Sequence, residues 1–142
     1  MPKLDEKAIA EFIRPFKEKG GDIMLTLGIT PVELGEGHAV MKMPYCAETS
    51  QFTGVFSAGA MISLADISAT AACLSEEGTF PYTVQLSSNL LRNANSGDAT
   101  AESNVVHSGR TMKVVETVVR DDNNNAMIRV TTTHMVVSNS RG

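Results

Sequence analysis

At 142 residues, 42% of them hydrophobic, the chain has the size of one domain with a core large enough to fold unaided. Its formal charge of -4, with 12 Lys and Arg scattered along the chain, argues against nucleic acid or an anionic membrane surface as a partner. No stretch of about 18 apolar residues occurs, because Ser63, Asp66 and Ser68 break the best candidate, so no membrane span is expected.

Leu4, Ala8, Ile9, Phe12, Ile13 and Phe16 recur at helical spacing, and Gly20-Gly21 follows a basic last turn, so a helix is expected over about 4–19. Pro15 falls inside it and either kinks it or ends it early. Two extended segments follow, 24–34 and 38–44, joined by the turn Gly35-Glu36-Gly37. A Gly-punctuated loop then opens into a long helix of small and apolar residues, about 57–75. Four strands complete the chain, over 82–92, 99–107, 112–120 and 127–138; polar turns separate them, and the last three read as an antiparallel meander. One long helix against an antiparallel sheet is an α+β layer arrangement with the central helix as its core.

On that helix Gly59, Ser63, Asp66, Thr70 and Cys73 fall on one small or polar stripe. Ala58, Met61, Ile62, Ala65, Ala69 and Ala72 form an apolar stripe, and Leu64, Ile67, Ala71 and Leu74 another. A helix with two apolar sides is covered almost all round, and its polar stripe faces a ligand cleft or a second subunit. Asp66 is the carboxylate in the middle of this helix. Burying such a group unpaired costs several kcal/mol or forces its protonation, so it has either hydrogen-bonding partners in a structural network or a chemical task.

The start of the helix offers free N–H groups and the positive end of the helix dipole, a site for a developing oxyanion. Ala58 precedes Asp66 by eight residues, roughly 12 Å at about 1.5 Å per residue. One small substrate group does not span that distance. If both act, they come from the helices of two subunits related by a two-fold axis.

The run Gly54-Val55-Phe56-Ser57-Ala58-Gly59-Ala60-Met61-Ile62-Ser63-Leu64-Ala65-Asp66 resembles the signature Gly-Thr-Val-His-Gly-Gly-Ala-Leu-x-x-Leu-x-Asp of hotdog-fold acyl-CoA thioesterases of the phenylacetate-pathway (PaaI-like) branch. The resemblance extends to about Val137. It implies that Asp66 acts on the thioester as general base or nucleophile and that the Ala58 N–H polarises the carbonyl. Gln51, fifteen residues before the acid, takes the place of the upstream amide that positions the carbonyl or water, as in 4-hydroxybenzoyl-CoA thioesterase. Thr70 matches a hydroxyl that orients the acid or water, or is ordinary helix packing. Thr83 matches a hydroxyl that helps hold the attacking water. Arg110, in Ser108-Gly109-Arg110-Thr111, meets a coenzyme A phosphate or is an exposed turn cation. Ser57 and Gly59 would border the substrate. Two departures stand out: Ser57 replaces the usual His, and Ala58 the first Gly, which changes the mouth of the pocket but keeps a backbone donor.

Other chemistries fit poorly. His38, His107 and His134 are far apart, with no metal-ligand spacing, and each is expected at a strand edge or end, so no metal site is expected. Gly35-Glu36-Gly37 lacks the third glycine of a dinucleotide fingerprint, and no Gly-x-Ser-x-Gly elbow is present. The eight Met fill core or line an acyl tunnel.

The resulting expectation is a single hotdog domain over 1–142, its core about 23–138, hydrolysing acyl-CoA without a cofactor, since coenzyme A belongs to the substrate. It would be a homodimer, and a homotetramer as a dimer of dimers. Cys46 and Cys73 lack a CxxC spacing and the first twenty residues carry no signal-sequence pattern, so a reducing cytoplasm is expected. The competing expectation is a non-catalytic module that binds acyl-CoA or an acyl carrier protein.

Overall fold

The computed structural model describes residues 2–74 and 77–138. Its elements in chain order are α1 (Glu6–Lys19), α2 (Ile23–Thr26), β1 (Thr30–Gly35), β2 (His38–Pro44), a short 3-10 turn (Ala47–Thr49), α3 (Ala58–Cys73), β3 (Thr79–Leu90), β4 (Asp98–Ser108), β5 (Met112–Arg120) and β6 (Ala126–Ser138). The strands form one antiparallel sheet in the order β1-β2-β4-β5-β6-β3. This sheet wraps α3, which packs against all six strands, in the hotdog arrangement.

The meander β4-β5-β6 forms as expected, and β3 returns to lie outside β6 rather than beside β4. Alternation sorts the meander's faces. Ala99, Ala101 and Ser103 of β4, Val115, Thr117 and Val119 of β5, and Ile128, Val130 and Thr132 of β6 are all buried. Met61 and Leu64 of α3 are fully buried between them, each contributing roughly 1.5–3 kcal/mol by leaving water. The run of alanines on α3 brings the helix backbone close to the sheet. There Ser68 accepts a hydrogen bond from Ser103 at 2.8 Å, and Ser103 shares another with Thr117 at 2.7 Å, so buried hydroxyls satisfy one another.

Several boundaries differ from expectation; α1 opens at Glu6 rather than Leu4, and β3 spans Thr79–Leu90 rather than 82–92. Pro15 does not end α1, which runs through it to Lys19 as expected; it stands on the exposed side, where water can meet the carbonyl it leaves without a donor. The segment expected as strand from Met24 begins as α2, because the Asp22 carboxylate caps it by accepting from the Met24 N–H at 3.0 Å. Gly28 then turns the chain at φ 69, and β1 starts only at Thr30. The central helix opens at Ala58 with Ser57 as its cap and ends at Cys73 with Leu74 as its cap. Ser75, the expected last residue, lies outside the described residues, as do Met1 and 139–142 of the expected domain.

Candidate active site

Phe56 fixes where α3 begins. It is fully buried, with its ring edge-on to Tyr45 at 5.2 Å; its N–H donates to the Ala94 carbonyl at 3.0 Å, and its own carbonyl accepts from the Asn93 amide at 2.9 Å. With the preceding residue pinned, Ser57 is held extended and its Oγ accepts from the Ala60 N–H at 3.4 Å. Ala58 is then the first helical residue, and its N–H has no acceptor within the helix.

Two turns further on, Asp66 lies on the side of α3 turned away from the sheet's centre, half-buried. The Thr83 hydroxyl of β3 donates to its Oδ1 at 2.6 Å, the length of a charge-assisted bond. Asp66, Thr70 and Thr83 border one cavity of about 370 Å³. Its remaining wall is largely apolar: Phe12 and Phe16 reach in from α1, Ile67 from α3, Leu74 from the cap that follows it, and Phe80 and Tyr82 from β3. Asp22 also lines it. Burial pushes the Asp22 carboxyl up, but the Met24 N–H and the Lys19 ammonium at 3.0 Å outweigh this and hold it below the usual carboxylate range.

The structure thus brings together three of the residues singled out in the sequence, Asp66, Thr70 and Thr83. The other five stand elsewhere in the chain. Ser57, Ala58 and Gly59 form the opposite end of α3 and do not line the Asp66 cavity. Gln51 is exposed in the loop before the helix, where its Oε1 accepts from the Thr53 N–H and its own N–H donates to the Val55 carbonyl at 2.8 Å. Arg110 is exposed in the turn between β4 and β5. Cys73 departs from the polar stripe: it is buried, and burial pushes its thiol up to about 11 against the opposing charge of Lys113, so it is no nucleophile at neutral pH.

His134 corrects the expectation that each histidine lies at a strand edge or end. His38 opens β2 and faces Asn104 at 2.9 Å, and His107 is exposed near the end of β4. His134, in contrast, is fully buried on the inner face of β6. Its Nε2 lies 2.7 Å from the Thr132 hydroxyl, and its Nδ1 lies 3.2 Å from the Pro81 carbonyl and 3.4 Å from the Thr83 hydroxyl. The signal was present in the sequence, since Ile128, Val130, Thr132 and His134 alternate and therefore share one face.

A sequence profile of the family described as the thioesterase superfamily matches residues 53–128. A protein of Saccharolobus solfataricus described as a candidate esterase is 31% identical over 116 residues, covering 81% of this chain and 80% of that protein. A thioesterase from Haemophilus influenzae superposes with a TM-score of 0.83 at 24% identity, over 99% of this chain and 98% of its own. The PaaI protein from the phenylacetic acid degradation operon of E. coli superposes with a TM-score of 0.79 at 22% identity, over 91% of this chain and 94% of its own.

Proposed function

Because the chain belongs to the thioesterase superfamily, we propose that it hydrolyses acyl-CoA thioesters to free acid and coenzyme A, with Asp66 as general base or nucleophile. The observation that carries this reading is the short Thr83–Asp66 hydrogen bond in the wall of a largely apolar cavity. The carboxylate then has one oxygen tied and the other available to a water or to the thioester carbon, beside a space suited to an uncharged acyl group. Thr70, one helical turn from Asp66, orients the acid or the water. The Ala58 N–H polarises the thioester carbonyl and Gln51 aligns it, while Ser57 and Gly59 border the mouth and Arg110 meets a coenzyme A phosphate. A general base contributes about 10²- to 10⁴-fold and one oxyanion donor about 10²- to 10³-fold, together enough for a modest enzyme with no cofactor.

A homodimer completes the site in this reading. Asp66 and Ala58 of one chain are separated along α3 by roughly 12 Å, too far for one carbonyl to meet both. β3 supports the same arrangement. It is the outer strand beside β6, twelve residues long, and it carries the exposed apolar side chains Tyr82, Val84 and Leu90. A long apolar edge of this kind is a template for pairing with another chain. Two such edges paired across a two-fold axis bring the helix start of one subunit toward Asp66 of the other. Pairs of dimers and a cytoplasmic location complete the proposal; among the described residues no helix is long and apolar enough to cross a membrane.

The test is thiol release from a panel of short, medium and aromatic acyl-CoAs by the wild type and by Asp66→Asn. The variant is expected to lose at least ~10²-fold in turnover while keeping its oligomeric state and thermal transition. Near-normal turnover removes Asp66 from the chemistry. Tight binding of an acyl-CoA with no thiol released by the wild type favours a non-catalytic binding module instead.

A further inference from the structure

We propose that His134 is a positioning residue for the Asp66 base: a neutral imidazole, protonated on Nδ1, that obliges the Thr83 hydroxyl to give its proton to Asp66. The inference rests on the reading of Asp66 given above. It follows from a chain of five groups in which every role but one is forced.

The Pro81 carbonyl, 3.2 Å from His134 Nδ1, can only accept, so Nδ1 carries a proton. In the neutral ring Nε2 is then an acceptor, and the Thr132 hydroxyl at 2.7 Å donates to it. Thr83 is the one member with a choice. Its hydroxyl faces His134 Nδ1 at 3.4 Å and Asp66 Oδ1 at 2.6 Å, and it holds a single proton. Were Nδ1 bare, that hydroxyl would have two acceptors and could turn its proton away from the carboxylate. With Nδ1 protonated, the only acceptor left in reach among the described residues is Asp66. The polarity of the chain is therefore set at the Pro81 carbonyl and handed on through the ring.

The surroundings favour the neutral ring. His134 is fully buried, and desolvation holds it below the usual imidazole range, although the Pro81 hydrogen bond and the Asp66 charge pull the other way. Two charged groups face it from neighbouring elements. Asp66 approaches from α3 and Lys113 stands directly opposite on β5, its ammonium donating to the Cys73 carbonyl at 3.2 Å. From β3 the facing groups are the Pro81 carbonyl and the Thr83 hydroxyl, neither of which titrates in this range.

The expected consequence is on the chemical step rather than on substrate affinity. His134→Leu removes the donor, and kcat should fall about tenfold, the size of one neutral hydrogen bond expressed in the transition state, with KM within about twofold. His134→Asn places an amide N–H where Nδ1–H was and should recover most of that loss. In a Thr83→Val background His134→Leu should have no further effect on kcat, because the two act as one unit. A merely structural histidine would lower stability without this dependence on Thr83. Asp66→Asn is the reference. If that variant keeps its turnover, the base assignment fails and takes the His134 role with it. If it is inactive while His134→Leu keeps full kcat, only the His134 role fails. Equal losses in the Asn and Leu variants would also overturn it. Should His134→Leu not fold, nitrogen NMR of the wild-type imidazole decides: a neutral ring with a bare Nε2 upholds the proposal, and a bare Nδ1 or a charged ring at neutral pH overturns it.

Discussion

A buried neutral histidine ties the stability of this protein to pH in a defined window. The unfolded chain takes up a proton at His134 near the ordinary value of 6.5, whereas the folded chain, its imidazole desolvated, does so only at lower pH. Between those two values the unfolded state binds more protons, so stability is full above about 6.5 and is lost as pH falls toward the folded value. Asp22 and Asp121, whose carboxyls are held low, lose their contributions separately, on the acid side of 3.8. Urea midpoints measured between about pH 7 and pH 5 should therefore drop less in His134→Asn than in the wild type. Equal slopes would mean that the ring titrates alike in both states. How much of the site was legible follows the same residue-level logic. Asp66 stood out because a charge in an apolar helix demands a partner, and that partner proved to be Thr83, a residue unremarkable in a strand until the resemblance marked it. His134 was missed because its chemistry depends on an alternation that buries it, and a histidine's type says nothing about which face of a strand it takes.

Pro15 is the clearest case of an element tolerating a local conflict. An interior proline removes one hydrogen bond and crowds the preceding turn, yet α1 runs on to Lys19, held by the Asp5 cap, by Gly20 at φ 103, and by Phe12, Ile13 and Phe16 packed on the core. Pro15→Ala restores the donor at an exposed position and should raise the unfolding free energy by about 1–3 kcal/mol, read as a higher urea midpoint with an unchanged slope. A lower midpoint would show that the ring itself contributes to packing. Elements with strong periodicity and clear punctuation, such as α1, α3 and the β4-β5-β6 meander, were readable from sequence. The misread stretch was Asp22 to Ile29, where Met24 and Ile29 are both buried as in a strand, but Asp22 and Gly28 impose a helical turn and a reversal between them. Short apolar runs carry no period long enough to separate the two states. The sequence likewise marked β3 as a strand without revealing that it would lie at the edge, because strand order is decided by the crossover and not by local composition.

At the scale of the whole molecule, the separation of Ala58 from Asp66 along one helix turns the proposed dimer from a packing question into a catalytic one. Ala58→Pro isolates the proposed oxyanion donor. Proline is well tolerated as the first residue of a helix, where its missing N–H would have no helical acceptor, and Ser57 before it already holds the extended conformation that a following proline requires. This variant should fold and dimerise normally and lose about 10²- to 10³-fold in turnover. Mixed and reassociated with Asp66→Asn, it forms heterodimers in which one of the two sites draws an intact Asp66 from the first chain and an intact Ala58 N–H from the second; the other site has neither. With random pairing about half of the dimers are mixed and half of their sites intact, so the mixture should regain about a quarter of wild-type activity from two nearly inactive proteins. If each site were completed within one chain, no pairing could repair either defect, and the mixture would show only the average of its two parents.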